Sequence, residues 1–228
     1  MTGLSIRSRS LMTSRDDRSS PAVVKDISGT GAAHAPNAGR VVLAFLATLY
    51  AVPACAGPFG LGMGTPLGGL VVLKQESDDE YLVRVPKPNS EFESYHAFVN
   101  PTAGLCGLVA VGKIYDNDAA GVATRAAYAR LRSDLASKYG GSRAVDDLKP
   151  GAVWTKPVDW SASLYYKERR VSDVWDRTTS ARLTRDLGSI KLEVRAAAPY
   201  DPYIQLNYSF ANVRTCPETS RQRDRSAL

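Results

Sequence analysis

The sequence predicts an α+β domain: an antiparallel sheet of about six strands, arranged as two three-strand meanders, with helices packed on one face. Three observations lead there. The stretch from Gly104 to Tyr115 is apolar on both alternating faces and carries Cys106, which places it as a strand in the middle of a sheet. Ala120, Thr124, Ala127, Tyr128, Leu131, Leu135 and Tyr139 recur at helical spacing and stop at Gly140-Gly141, so they predict a long amphipathic helix with a glycine C-cap. Finally, Ile190 to Arg195 and Tyr203 to Phe210 alternate apolar with polar on either side of Pro199-Tyr200-Asp201-Pro202, the pattern of paired strands joined by a turn. The order of elements suits either a pseudo-repeat of two halves or a single sheet without one.

Taken in order, Thr65 followed by Pro66 reads as an N-cap and N1 proline opening a short helix through about Leu73. Tyr81 to Val85 alternates as a strand that ends before Pro86 and Pro88, and Tyr95 to Val99 is the next. Asn100-Pro101-Thr102-Ala103-Gly104 is turn chemistry, so the central strand should run antiparallel to Tyr95–Val99. Asp116-Asn117-Asp118 supplies the cap of the long helix. Residues 146–157 read as loop, Asp159 caps a short helix through Tyr166, and 168–176 reads as a strand bearing Val171 and Trp175.

Upstream lies a segment of different character. Arg40, an apolar run from Val41 to Val52, Pro53 and the small residues Ala54-Cys55-Ala56 have the layout of a secretory signal, with cleavage expected between Ala56 and Gly57. Twelve apolar residues are too few for a membrane-spanning helix. A lipoprotein acylated at Cys55 is the minor alternative. The expected organisation is therefore a leader extension or premature start over 1–39, a signal peptide over 40–56, one domain over 57–219 and a disordered polar tail over 220–228. Export removes or lipidates Cys55, which leaves Cys106 and Cys216 as an even pair in an oxidising compartment, expected to form a disulfide.

The net charge of +6 sits mostly at the chain ends: residues 57–220 hold 20 basic and 19 acidic side chains. No clustered basic face stands out there, and nucleic acid is not an expected partner. The predicted long helix carries Arg125, Arg130 and Arg132 opposite its apolar stripe, which reads as a solvated face, with a docking face as the lesser alternative. His96 is the lone histidine after the leader and alternates within a strand, a poor base for a Ser-His-Asp hydrolase. Gly140-Gly141-Ser142-Arg143-Ala144 lacks the last glycine of a nucleophile elbow, and Asp116-Asn117-Asp118 lacks the twelfth-position carboxylate of a calcium loop. There is no zinc-ligand spacing, P-loop or dinucleotide fingerprint, so no metal or cofactor is expected.

The remaining concentration is aromatic. Trp154, Trp160 and Trp175 fall within 22 residues that also hold Tyr165, Tyr166, Lys167, Arg169 and Arg170. Trp154, Trp160, Arg169, Arg170 and Trp175 are the candidate binding residues, suited to stacking on a sugar or gripping a peptide, against a bland account in which the indoles fill core. The run Pro58-Phe59-Gly60-Leu61 with Met63-Gly64, the strand Gly104-Leu105-Cys106, Lys138-Tyr139-Gly140, Trp154 with Pro157, Asp159 and Trp160, and Tyr208, Phe210, Asn212 and Cys216 resemble a group of small exported proteins of Gram-negative bacteria. The resemblance implies periplasmic residence and brings no catalytic residues. The expected function is a non-enzymatic binding or envelope-associated module, partnered by an envelope protein or glycan; the alternative is a cell-envelope hydrolase using a carboxylate pair.

Overall fold

The computed structural model describes residues 57–216. The expected leader, signal peptide and cleavage position at Ala56 lie outside them, as does the polar tail. Eight strands form one antiparallel sheet: β1 (Val71–Gln75), β2 (Glu80–Arg84), β3 (Phe92–Asn100), β4 (Gly104–Ile114), β5 (Arg143–Leu148), β6 (Arg169–Trp175), β7 (Leu187–Ala198) and β8 (Asp201–Phe210). Their spatial order is β1-β2-β3-β4-β8-β7-β6-β5. Helix α1 (Val122–Tyr139) carries the chain from β4 to the far edge, and α2 (Trp160–Tyr165) precedes β6.

This corrects the α+β expectation. The sheet has eight strands, not six, each meander has four strands, and with two helices of 18 and 6 residues the fold is closer to all-β. Two misreadings account for the difference. The segment expected as a helix from Thr65 has only a 3-10 turn at Leu67–Gly69, because Gly68-Gly69 weakens helix while Val71-Val72 favours extended backbone, and β1 follows. The segment 146–157 expected as loop begins inside β5, whose Arg143-Ala144-Val145-Asp146-Asp147-Leu148 pairs residue for residue with β6.

β4 sits in the middle of the sheet, between β3 and β8, as its two-sided apolarity requires. Cross-strand registers then sort the side chains. Tyr81, Ala97, Leu108, Tyr208, Ile190 and Trp175 form one row across β2, β3, β4, β8, β7 and β6, and all are buried. The adjacent row of the same face runs Tyr95, Ala110, Leu206, Leu192, Asp173, Ala144; its one carboxylate, Asp173, occupies a slot that is otherwise apolar until the exposed edge strand. On the opposite face His96, Val109, Asn207 and Lys191 are only half-buried. There Glu193 takes hydrogen bonds from Lys191 Nζ at 2.6 Å and Asn207 Nδ2 at 3.2 Å, and Gln205 Nε2 donates to Asn207 at 2.8 Å. His96 Nδ1 lies 3.2 Å from Glu80 Oε1 in the same surface.

Different segments cover the apolar face over its two halves. Phe59, held at φ 52°, sets its ring edge-on to Phe92, Tyr95 and Tyr208 at 5.7, 4.9 and 5.8 Å between centroids, so the opening segment plugs the first half. Helices α1 and α2 lie against β7 and β8, and α2 also against β6. Cys106 of β4 is joined to Cys216 by a disulfide that spans 110 residues, with 6.2 Å between Cα atoms. Among the described residues no helix is long and apolar enough to cross a membrane.

Asp118 starts α1. Its carboxylate accepts the backbone N–H of Val122 at 2.7 Å and both the N–H and hydroxyl of Thr124 at 2.8 Å. Burial pulls its pKa upward, but these donors outweigh it and hold the carboxyl below its usual range. A depressed native pKa stabilises the fold above the unfolded value and is lost as pH falls through the native one. Asp118→Ala should therefore cost about 1–2 kcal/mol at neutral pH. Urea titrations should show that deficit shrinking as the pH falls below about 4; a deficit unchanged at acid pH would contradict the capping role.

Candidate functional site

A cavity of about 270 Å³ opens between α1, α2 and the β5–β6–β7 part of the sheet. Its floor is Val171 of β6, Val194 of β7, Tyr128 of α1 and Trp160 of α2; Arg125, Arg132 and Asp146 stand around it. Arg125, Tyr128 and Arg132 reach it from one side of α1 because their spacing of three and four residues brings them onto one face.

Asp173 anchors the site. It is 2 % exposed, and its Oδ2 accepts the Tyr128 hydroxyl at 2.8 Å while Oδ1 accepts Arg132 Nε at 2.9 Å and the Ser142 hydroxyl at 2.5 Å. Three donors from α1 and the α1–β5 connection thus converge on one β6 carboxylate, which is how a charge survives in an apolar row. Burial, reinforced by the bond to Asp173, pushes the Tyr128 phenol well above its ordinary pKa, so it stays a proton donor throughout the neutral range.

Trp160 is 2 % exposed and its ring lies under the Arg125 guanidinium, 4.5 Å from the centroid. Its indole N–H is buried without a hydrogen-bond partner. The ring presses on the chain just before α1: a Cβ built on Gly121 would stand 2.0 Å from Trp160 Cε3, and Gly121 has φ +69°. The Ser161 N–H donates to the Ala119 carbonyl at 2.9 Å, fixing the two helix starts together. Gly121→Ala combines a left-handed backbone with a ring clash and should destabilise by about 2 kcal/mol or more. It should also shift the Trp160 fluorescence, as that ring is displaced; a variant with wild-type stability and emission would refute the close packing.

The five candidate binding residues separate. Trp160 enters the cavity. Trp175 is fully buried, its Nε1 donating to the Gly140 carbonyl at 2.9 Å, so it is core. Trp154 is half-buried and stacks on Tyr166 at 5.2 Å with an interplanar angle of 7°; Tyr165 meets Tyr166 edge-on, leaving a small exposed aromatic group at the end of α2. Arg169 and Arg170 are taken up by the neighbouring edge strand: Arg169 pairs with Asp146 at 2.5 Å and Arg170 with Asp147 at 3.1 Å.

The basic side of α1, expected as a solvated face, divides as well. Arg130 pairs with Glu91 at 3.5 Å, whereas Arg125 and Arg132 line the cavity. Among the described residues no carboxylate forms an ion pair with Arg125. Asp173 was not anticipated, although a signal was present in the alternation Val171, Asp173, Trp175, where a carboxylate takes an inward slot. The arrangement offers an apolar floor, an indole face, one uncommitted guanidinium and carboxylates already matched by donors. Comparison of the chain with models of protein families, with curated proteins and with solved structures finds no match.

Proposed function

We propose that this protein is a non-enzymatic binding module of the bacterial periplasm, working at the cell envelope on a partner such as an envelope protein or glycan. The observation that carries the reading is the state of the cavity's charged groups. Asp173 and Asp146 are each held by a guanidinium, Asp173 by two hydroxyls in addition, while Arg125 lies over Trp160 with no carboxylate partner among the described residues. A hydrolytic acid and base pair needs one carboxyl poised to give up a proton and another free to take one. Committed carboxylates beside a free cation favour binding instead.

The compartment reading is supported by the sequence layout of 40–56, the resemblance to exported proteins and the disulfide between Cys106 and Cys216. The test is expression of the full chain in a Gram-negative host, with fractionation, crosslinking in intact cells and mass spectrometry of what is retained. Wild-type protein should be found in the periplasm, cut before Gly57, and should retain an envelope component that Arg125→Gln retains less. Cytoplasmic retention with residues 40–56 intact would end the compartment reading. Turnover of an envelope glycan or peptide that is abolished by Asp173→Asn would replace the binding module with an enzyme.

A further inference from the structure

The charge around the cavity identifies the kind of molecule it suits. Four ionic side chains line it, Arg125, Arg132, Asp146 and Asp173. Arg132 is matched by Asp173 at 2.9 Å, and Asp146 by Arg169 at 2.5 Å. What remains is a single positive charge on Arg125. Its guanidinium is not free to turn in any direction, since it rests on the Trp160 ring at 4.5 Å, and a stacked guanidinium keeps its planar fork of N–H donors at the edge.

Beneath that fork, Val171, Val194, Tyr128 and Trp160 present apolar and aromatic surface at the bottom of a space of about 270 Å³. The floor is rigid: all four residues are less than 10 % exposed and belong to α1, α2 or the centre of β6 and β7. A ligand that fills this space must carry an apolar body to cover the floor and one negative group to meet the fork.

We infer that the cavity between α1, α2 and β5–β7 is a binding site for small monoanions, a carboxylate borne on a compact apolar or aromatic body, with Arg125 as the anion-recognising residue and Trp160 and Val171 as the floor. This rests on the binding-module reading and narrows it. One uncompensated cation matches one negative charge; a dianionic phosphate would leave a surplus charge in a half-apolar site, beside the Asp146 carboxylate. The bidentate geometry of guanidinium and carboxylate supplies orientation as well as attraction.

The experiment uses the full chain after export and three probes: benzoate, its uncharged counterpart benzamide, and inorganic phosphate. Binding is followed by calorimetry and by tryptophan fluorescence. Benzoate should saturate a single site, with benzamide and phosphate at least about tenfold weaker. Arg125→Gln, a change at an exposed side chain that leaves the fold intact, should abolish the preference for benzoate over benzamide. Arg125→Lys should recover it only in part, because the charge returns without the fork and the stack.

Equal binding of benzoate and benzamide would overturn the charge assignment while leaving the cavity a binding site. Tighter phosphate than benzoate would overturn the choice of a monoanion. Failure of both aromatic probes to bind would remove the cavity as a small-molecule site. Retention of an envelope partner in the crosslinking experiment under that last outcome would keep the binding-module reading standing without this one.

Discussion

Removal of the Cys106–Cys216 bridge is expected to lower stability by about 4–5 kcal/mol, the value the chain-entropy account assigns to a loop of this size and an upper figure for the measured loss. The bridge joins the middle strand of the sheet to the end of the described chain, 110 residues later. In the unfolded chain it prevents separation of two halves whose strands meet at the β4–β8 pairing. Both sulfur-bearing residues are buried, Cys106 fully and Cys216 to all but 7 %. Reductant alone should therefore act slowly on the native protein and quickly once urea opens it. The double variant Cys106→Ser, Cys216→Ser isolates the effect. Its urea midpoint should fall, and its m-value should rise because the unfolded chain is less compact. An unfolding free energy within about 0.5 kcal/mol of wild type would mean that packing around β4 already supplies what the bridge was assigned.

Large parts of the sheet were legible because their residues answer to local rules. β3, β4 and their turn announce themselves through alternation and Asn100-Pro101, and Asn100 Oδ1 accepts the N–H groups of Thr102 and Ala103 at 2.8 and 2.9 Å. Helix α1 and the strands β6, β7 and β8 follow from apolar spacing, and the cysteine pairing follows from setting Cys55 aside with the leader, which leaves two of the three. The edges were not legible, and for a shared reason. β1 has no buried residue and β5 carries three charges in six positions, so neither shows the alternation that a covered strand must have. Each is held by backbone pairing to a better-buried neighbour, β2 or β6. The charges of β5 limit pairing with other chains and also hide it from periodicity, whereas β1 is hidden because Val71, Val72 and Leu73 are all exposed and do not alternate. The joining of the two meanders through β4 and β8 is a contact about a hundred residues apart, which no local pattern contains.

The site divides along the same line. Trp160 was among the candidate residues, but Arg125 and Arg132 looked like solvated cations because their partners come from elsewhere: an indole of α2 for one and a β6 carboxylate for the other. Charge on a helix surface is ambiguous until the neighbouring element is known. Asp173 was the better clue, since a carboxylate in an inward slot must be matched by donors, and the donors mark the place where three segments meet.

Asp173→Ala should cost about 3–4 kcal/mol, most of it from what it leaves behind. Tyr128 is 9 % exposed, and its hydroxyl would retain only the long 3.4 Å approach to the Leu192 carbonyl. The Ser142 hydroxyl would lose its acceptor too. Arg132 is different: its side chain is about half exposed and can return to water, so its share of the loss is small. Asp173→Asn separates shape from charge, because it keeps the volume and one acceptor, and should cost less than the alanine change. A triple variant, Asp173→Leu with Tyr128→Phe and Ser142→Ala, removes acceptor and hydroxyl donors together and should recover much of the stability, as replacement of a matched buried network by apolar groups does elsewhere. The cavity would respond separately. Freed from Asp173, Arg132 joins Arg125 as a second uncommitted cation, so Asp173→Asn should narrow the preference for benzoate over inorganic phosphate while Asp173 in the wild type preserves it. Stability lost equally in the single and triple variants would show that packing at β6, not the hydrogen-bonded carboxylate, is what the site depends on.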